Sequence, residues 1–269
     1  MERKRWRVPE GATITLAEID TASIEGSPGK KRDAHLASEE LRIDLIDLQE
    51  RLWAENRRSL LLVLQALDAG GKDGTIRKVF SGVNPQGCRV SSFKRPSDEE
   101  LEHHFLWRIN RALPRRGEIG IFNRSHYEDV VTVRVHGALD PKTCRRRFDT
   151  INSFERGLAE DGVTIVKVFL HISKEEQAER LKKRLGDPTK HWKFASADLE
   201  ERARWDAYQV AYADAISATS TAAAPWYVIP ADHKWYRDWA IFNILVETLR
   251  EMGPSFPEPE AGLDEITID

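Results

Sequence analysis

A buried-strand pattern that breaks into glycines and a lysine constrains the fold of this chain most. Residues 61–80, LLVLQALDAGGKDGTIRKVF, give an aliphatic run, a glycine-rich turn and then apolar residues at helical spacing. This order predicts a strand, a phosphate-binding P-loop and a helix. The copy is imperfect, because Ala66 replaces the first glycine of the signature and Asp73 replaces the Ser or Thr after Lys72. The spacing alone therefore leaves a phosphate site and an ordinary strand-to-helix turn both open.

Composition excludes several classes of protein. A formal net charge of -3 argues against bulk attraction to nucleic acid or to membranes. Two cysteines, Cys88 and Cys144, give neither a disulfide framework nor a metal cluster. The charged start MERKRWRVPEG is not followed by an apolar signal segment, and no run approaches the roughly 18 apolar residues of a membrane span. We expect a soluble cytoplasmic protein with no nucleic-acid or membrane partner.

Five apolar runs alternate with helical patterns along the chain. Such alternation predicts an α/β fold with a five-stranded parallel sheet and helices on both faces. The predicted strands are 59–67, 88–94, 118–122, 163–172 and 225–231. The predicted helices outside the lid described below are 33–56, 71–80, 97–113, 141–159 and 233–252, and that at 97–113 opens with a Ser97/Glu100 capping box.

The domain boundaries follow from composition. Residues 1–32 mix Pro, Gly, Ser and charges and predict a solvated N-terminal arm with little structure of its own. Residues 33–253 are predicted to form a single α/β domain, and the proline-rich residues 254–269 a loose acidic tail. Helix 33–56 carries leucines on one face that pack either on the core or on a second subunit: Leu41, Leu45, Leu48 and Leu52.

The segment 174–220 is too long for a simple crossover between strands and predicts a lid of two helices joined by the hinge GDPTKHWKF. Its first half and hinge concentrate positive charge, and Glu200 and Glu201 on the second helix neutralise part of it. Trp205, Tyr208 and Tyr212 are spaced three and four residues apart, which favours core packing over a platform for stacking bases.

A polar segment, NRSHYED at 123–129, directly follows the third predicted strand. Open α/β sheets place their ligand chemistry at the carboxyl ends of the strands, so this segment is a candidate site. The alternative is a polar loop with no role in function.

Three segments together resemble the second family of polyphosphate kinases: LDAGGKDGT at 67–75, FNRSHYEDVVTVRVH at 122–136 and DPTKHWKFASADLEERARWDAY at 187–208. The resemblance covers residues 33 to about 250 and implies a thymidylate-kinase-like P-loop fold with a helical lid. It implies reversible, Mg²⁺-dependent phosphoryl transfer between inorganic polyphosphate and nucleotides. Asn123 and Glu128 resemble class III, whose members phosphorylate AMP as well as ADP, whereas class I carries Asp and Asn there.

The chemistry of phosphoryl transfer suggests a role for each residue of the loop. Transfer needs anions held in line and charge stabilised on the transferring oxygens. Lys72 places a positive charge where negative charge develops. A carboxylate inside a phosphate loop repels its ligand unless a cation stands between them, so Asp68 is predicted to hold Mg²⁺, with a backbone cap as the alternative. Close phosphate approach is assigned to Gly70, Gly71, Gly74 and Thr75.

The second segment supplies the remaining candidates. Arg124 suits bidentate contact with the transferring phosphate, with Asn123 beside it. Glu128 is predicted to orient the nucleotide acceptor, to accept its proton or to bind a second metal ion, and the sequence does not choose among these. Asp129 is a candidate metal and nucleotide ligand. Arg134 contacts nucleotide phosphate or, equally, forms a salt bridge to an acid of the core.

The lid cations are predicted to bind polyphosphate, which offers charge but no base edges. They are drawn from Lys182, Arg184, Lys190, Lys193, Arg202 and Arg204, and we select Arg184, Lys190, Lys193 and Arg204. Two alternatives remain open: an ATP-dependent nucleotide kinase, and a non-catalytic module that binds polyphosphate or nucleic acid. A homodimer or homotetramer is expected from the apolar face of helix 33–56.

Overall fold

A parallel sheet of five strands forms the centre of the protein. The computed structural model describes residues 2–263, Ile266 and Ile268. The strands are β1 (Ser59–Gln65), β2 (Cys88–Ser92), β3 (Ile119–Asn123), β4 (Val163–His171) and β5 (Trp226–Pro230). They lie in the order β2-β3-β1-β4-β5, and every neighbouring pair is parallel. The predicted α/β class is confirmed.

The burial of each strand explains its place in the sheet. Strand β1 is buried along its whole length, as its run of leucines requires of a strand covered on both faces. Strand β2 lies at the edge and is half exposed. The register pairs Leu64 with Asn123, so β1 and β3 end together. The loops that follow these two strands therefore start side by side at the carboxyl edge of the sheet.

Helices cover both faces of the sheet. Their bounds are α1 (Lys31–Glu55), α2 (Lys72–Val79), α3 (Asp98–Glu102), α4 (Trp107–Arg111), α5 (Thr132–Val135), α6 (Pro141–Glu160), α7 (Lys174–Leu185), α8 (Ala197–Ala203), α9 (Trp205–Thr219) and α10 (Lys234–Met252). Helix α1 packs along α10, and its Leu45 and Leu52 are fully buried. Each such leucine contributes about 1.5–3 kcal/mol on burial. The leucine face of α1 thus closes the core of this chain.

The helix predicted over 97–113 is broken. Its capping box is present, since the Ser97 hydroxyl accepts from the Glu100 amide and the Glu100 carboxylate accepts from the Ser97 amide. The backbone then becomes extended at His103, which has a ψ of 166°. The imidazole of His104 accepts a hydrogen bond from the Leu106 amide at 3.3 Å. This local bond competes with helical pairing and separates α3 from α4.

The N-terminal arm has little regular structure, as expected, but it packs against the domain and is not solvated along its whole length. Only short 3-10 turns, Glu2–Trp6 and Leu16–Glu18, are regular there, but the Trp6 side chain is 5% exposed and its indole donates to the Tyr236 hydroxyl at 3.0 Å. The Val8 amide donates to the Trp226 carbonyl at 2.9 Å, so the arm covers the open edge of β5. Its few apolar side chains pack well enough to hold a polar segment in place.

In the predicted tail, residues 255–263 are exposed, whereas 264, 265, 267 and 269 lie outside the described residues. No helix within the described part of the chain is long and apolar enough to cross a membrane.

The segment predicted as a lid contains α7, a 3-10 turn at Pro188–Lys193, α8 and α9. The second predicted helix is divided at Arg204. Tyr208 and Tyr212 are 6% and 3% exposed, and the Tyr212 ring lies 4.5 Å from that of Phe169 on β4. The α9 aromatics are therefore buried, as the core-packing interpretation requires, and they also border the cavity described below.

Candidate active site

The loop between β1 and α2 is tightly bent. Gly71 has a φ of 106°, and a Cβ there would lie 2.3 Å from Nη1 of Arg237. A Cβ on Gly70 would lie 2.5 Å from Cβ of Ala66. Both positions therefore require glycine. Ala69 also adopts a left-handed φ of 61°, a strained conformation for a residue with a side chain.

Lys72 begins α2 and turns back into the loop. Its side chain is buried, and Nζ donates to the Ala66 carbonyl at 2.7 Å. Burial, with a further contribution from Arg124, lowers the pKa of Lys72 to about 8, although Asp68 and Glu128 oppose this. The lysine remains cationic at neutral pH at an energetic penalty, and a bound anion would relieve that penalty.

Arg124 joins the two predicted motifs. Its backbone is left-handed, with a φ of 64°, and its amide donates to the Leu64 carbonyl at 3.1 Å. Its Nη2 donates to Oδ1 of Asp68 at 2.6 Å, and its Nη1 lies 3.8 Å from Oε2 of Glu128. Burial alone would lower the pKa of Arg124, but Glu128 and Asp68 raise it above its ordinary value. Asp68, Arg124 and Glu128 line one cavity of about 180 Å³.

Glu128 is held from two sides. The Thr132 hydroxyl donates to its Oε2 at 2.8 Å. In the amide orientation that pairs each donor with an acceptor, Gln65 donates to Oε1 of Glu128 at 3.0 Å and accepts from the hydroxyl and amide of Ser125. These contacts fix the carboxylate at the cavity wall before any ligand arrives.

Aromatic side chains of α9 line another part of the cavity, together with Glu201. The Tyr208 hydroxyl donates to Glu201 at 2.5 Å, and His136 lies 3.0 Å from the same carboxylate. The cavity thus has cations and carboxylates from the loops and aromatic rings from Trp205, Tyr208 and Tyr212. Such a lining suits a phosphorylated ligand with a flat organic portion.

Asp73 and Asn123 lie next to each other outside the lining of this cavity. The Asn123 amide donates to Oδ1 of Asp73 at 2.9 Å, and Lys193 donates to Oδ2 at 3.2 Å. Burial alone would raise the pKa of Asp73, but Asn123 and Lys193 bring it below its ordinary value. Asp73 thereby connects the P-loop helix to β3 and to the lid segment.

The other predicted lid cations have local partners or lie in solvent. Arg184 lies 3.7 Å from Asp198, and Lys190 pairs with Asp187 at 2.5 Å. Arg204 is exposed at the junction of α8 and α9. None of these three lines the cavity.

Four further candidates also lie outside the cavity lining. Arg134 forms a salt bridge, as in the alternative prediction, but its partner Asp214 at 2.7 Å is half exposed and not an acid of the core. Asp129 pairs with Arg108 at 3.3 Å, and burial raises its pKa although Arg108 opposes the shift. Gly74 and Thr75 lie in the first turn of α2, where Thr75 is fully buried and its amide donates to the Gly71 carbonyl.

The donor set at the cavity fits a magnesium ion that also uses ligand oxygens. Asp68 offers a carboxylate there, with Glu128 across Arg124. Among the described residues no group of three or more His, Cys, Asp or Glu side chains forms a ready-made metal cage. Mg²⁺ commonly binds one or two carboxylates and completes its shell with phosphate oxygens and water.

Sequence reasoning missed four supporting residues. Gln177 donates to the Asp68 carbonyl, Arg180 donates to the Ala69 and Gly70 carbonyls, and Arg237 lies against Gly71. Gln65 is a polar residue at the end of a leucine-rich strand, and Arg237 follows the end of β5. Ligand residues are expected at the carboxyl ends of strands, so the sequence offered a reason to consider both. Gln177 and Arg180 sit in a highly charged helix and carried none.

Comparisons with known proteins identify the family of the chain. The family model of polyphosphate kinase 2 (PPK2) matches residues 29–257. An AMP/ADP-polyphosphate phosphotransferase of Meiothermus ruber is 50% identical over 99% of this chain and 100% of its own length. An ADP-polyphosphate phosphotransferase of Rhodopseudomonas palustris is 43% identical over 96% of this chain and 93% of its length. The crystal structure of polyphosphate kinase 2 from Arthrobacter aurescens TC1 superposes with a TM-score of 0.94 at 44% identity, covering 97% of this chain and 93% of that one. The chain belongs to the polyphosphate kinase 2 family.

Proposed function

We propose that this chain transfers phosphoryl groups between inorganic polyphosphate and nucleoside mono- and diphosphates, AMP to ADP and ADP to ATP, reversibly and with Mg²⁺. The observation that carries the proposal is the cavity in which Asp68, Arg124 and Glu128 meet beside the buried Lys72. The names of the two relatives from Meiothermus ruber and Rhodopseudomonas palustris support the same reaction.

The cations position the phosphates. Lys72 and the amides at the start of α2 provide positive potential at the P-loop. Arg124 presents a planar guanidinium that can bind two phosphate oxygens at once. Before a phosphate arrives, Asp68 holds Arg124 in place at 2.6 Å. A phosphate that binds Arg124 replaces this contact and frees the Asp68 carboxylate.

We assign Mg²⁺ to Asp68 in preference to Asp129. Asp68 lines the cavity, whereas the Asp129 carboxylate is paired with Arg108 outside it. When bound, the metal neutralises part of the negative charge of the phosphates. Asp68 and Glu128 then flank the phosphates without repelling them.

Use of AMP is assigned to Glu128 together with Asn123. Glu128 is fixed by Thr132 and Gln65 at the cavity wall, where an acceptor phosphate would meet it. Asn123 lies outside the cavity lining and donates to Asp73 at the start of α2. The Meiothermus ruber relative is named for both AMP and ADP, which favours the same range here.

A donor comparison tests the proposal. The purified protein is given AMP or ADP with Mg²⁺ and either polyphosphate or ATP as donor, and the nucleotides are separated by chromatography. We expect rapid formation of ADP and ATP from polyphosphate, and its loss when the metal is chelated. Faster turnover with ATP than with polyphosphate would instead favour the ordinary nucleotide kinase, and binding without turnover would favour the non-catalytic module.

Three expectations stay predictions: the dimer or tetramer, the cytoplasmic location, and the contacts of the lid cations with polyphosphate. Leu36 and Ile43 on the outer side of α1 are 60% and 70% exposed, which favours contact with a second copy. Sedimentation of the purified protein measures its mass directly.

A further inference from the structure

A polar network is buried behind the turn that carries the candidate catalytic residues. Lys167 is fully buried on β4, and Glu155 on α6 is 1% exposed. Lys167 Nζ donates to Oε2 of Glu155 at 2.5 Å and to the Tyr127 hydroxyl at 2.9 Å. Oε1 of Glu155 accepts from the Tyr127 hydroxyl at 2.9 Å and lies 3.2 Å from Nε2 of His126. None of these four side chains lines the cavity.

The network connects the turn to the rest of the fold. Lys167 Nζ also donates a third hydrogen bond, to the carbonyl of Thr219 at 2.7 Å. Thr219 is the last residue of α9. The same helix supplies the aromatic lining of the cavity. One ammonium group therefore fixes the turn, α6 and the end of α9 relative to one another.

The ion pair at the centre of the network has every polar atom satisfied, whereas Nδ1 of His126 at its edge is buried without a partner. All three N–H bonds of the Lys167 ammonium have acceptors, and both oxygens of Glu155 have partners. Burial alone would raise the pKa of Glu155, but Lys167 and His126 hold it below its ordinary value. A buried ion pair whose polar atoms are all satisfied holds its neighbours in one geometry, whereas loss of one member leaves a desolvated polar group unpaired.

The turn needs such a support because its backbone is strained. Arg124 has a left-handed φ of 64°. The side chains of the turn point to two different places. Arg124 and Glu128 line the cavity, whereas His126 and Tyr127 are each 1% exposed and belong to the network. Strained residues keep their conformation only when the surrounding structure fixes them.

We propose that Lys167 and Glu155, acting through His126 and Tyr127, are positioning residues that set the orientation of Arg124 and Glu128 for phosphoryl transfer. This inference rests on the proposed function for its kinetic consequences. Transfer is sensitive to position, since a displacement of about 1 Å of a positioned group lowers rates by about a hundredfold.

Paired tyrosine variants separate positioning from stability. Tyr127→Phe removes one donated and one accepted hydrogen bond in the network. Tyr236→Phe is the matched control, because Tyr236 is also 1% exposed and its hydroxyl donates to the Glu25 carbonyl and accepts from Trp6, away from the turn. We expect Tyr127→Phe to lower kcat about tenfold or more, with KM for polyphosphate within about twofold of wild type. Tyr236→Phe should keep its kcat. Equal kcat in the two variants would overturn the proposal.

A charge-balanced variant gives a second comparison. Lys167→Met alone leaves the Glu155 carboxylate buried and unpaired, so its Tm should fall. Adding Glu155→Gln should restore most of the Tm but not the kcat, because the geometry set by the ammonium is still missing. Return of both Tm and kcat to wild-type values would show that the pair only stabilises the fold.

Amide hydrogen exchange tests the same claim without substrate. Exchange in residues 122–131 should accelerate in Tyr127→Phe, whereas in Tyr236→Phe the acceleration should lie in the N-terminal arm. Unchanged exchange of 122–131 in Tyr127→Phe would refute the positioning role. A wild-type protein that transfers no phosphate from polyphosphate would refute the proposed function, and the exchange experiment would still decide this inference.

Discussion

Replacement of Lys72 by methionine should make the unliganded protein more stable while it abolishes transfer. Burial and Arg124 lower the pKa of Lys72 from its ordinary 10.5 to about 8. At 1.36 kcal/mol per pKa unit, charge on this lysine costs the fold about 3 kcal/mol at pH 7. The Ala66 carbonyl that accepts from Nζ would lose its partner, which costs about 1 kcal/mol. The net expected gain is about 2 kcal/mol, or roughly 4–8 °C in Tm.

The pH dependence of this gain follows from the same pKa. Below pH 8 the lysine is protonated in both the folded and the unfolded chain, so the full penalty is present in the wild type. Between pH 8 and 10.5 the unfolded chain binds the proton and the folded protein releases it, so the wild type becomes relatively more stable. The advantage of Lys72→Met should therefore be complete at neutral pH and shrink as the pH rises through this window.

Urea unfolding of wild type and variant at pH 7 and near pH 10 measures the effect. Lys78→Met is the control, because Lys78 lies on the same helix with a 40% exposed side chain and a surface contact to Glu39, and such pairs contribute about 0–1 kcal/mol. Transfer should fall by about a hundredfold or more in Lys72→Met only. A variant less stable than wild type at pH 7, or a gain that does not change with pH, would refute the assignment of a buried, charged lysine.

Two further substitutions test the cavity, and a third tests the lid segment. Asp68→Asn should abolish polyphosphate-dependent transfer at every Mg²⁺ concentration in initial-rate assays; full recovery at high Mg²⁺ would show that this carboxylate is not essential. Glu128→Asn should reduce the rate with AMP more than with ADP, and equal losses would remove the argument for AMP use. Lys193→Ala should raise KM for polyphosphate several-fold, because it removes a cation that Asp73 holds beside the start of α2. Lys190→Ala should change KM less, because Lys190 pairs locally with Asp187; the reverse order in the same assays would contradict the placement.

The fold was largely readable from local patterns. The leucine run of β1 and the glycines at 70 and 71 specify a buried strand and a loop that only glycine fits. The break in the helix at His103 could not be predicted. It depends on a hydrogen bond from the Leu106 amide to the His104 imidazole, which the sequence does not reveal. The buried arm was missed for a related reason, since Trp6 packs on Tyr236, and such distant pairs leave no local pattern.

Part of the candidate site could also be predicted from the sequence. The meeting of Asp68 with Arg124 follows from the parallel register of β1 and β3, which places both loops at one edge. The partner of Asp73 was not predictable, because several lid lysines are equivalent in sequence and only Lys193 is placed within reach. The role of Arg180 depends on contacts with loop carbonyls more than a hundred residues away.

The most direct test of the central claim follows the phosphorus atom itself. Polyphosphate carrying a radioactive label is incubated with AMP, Mg²⁺ and either the wild-type protein or Asp68→Asn, and the nucleotides are separated. The account predicts labelled ADP and then labelled ATP with the wild type, and no labelled nucleotide with Asp68→Asn. Unlabelled nucleotides with the wild type, or equal labelling with both proteins, would contradict it.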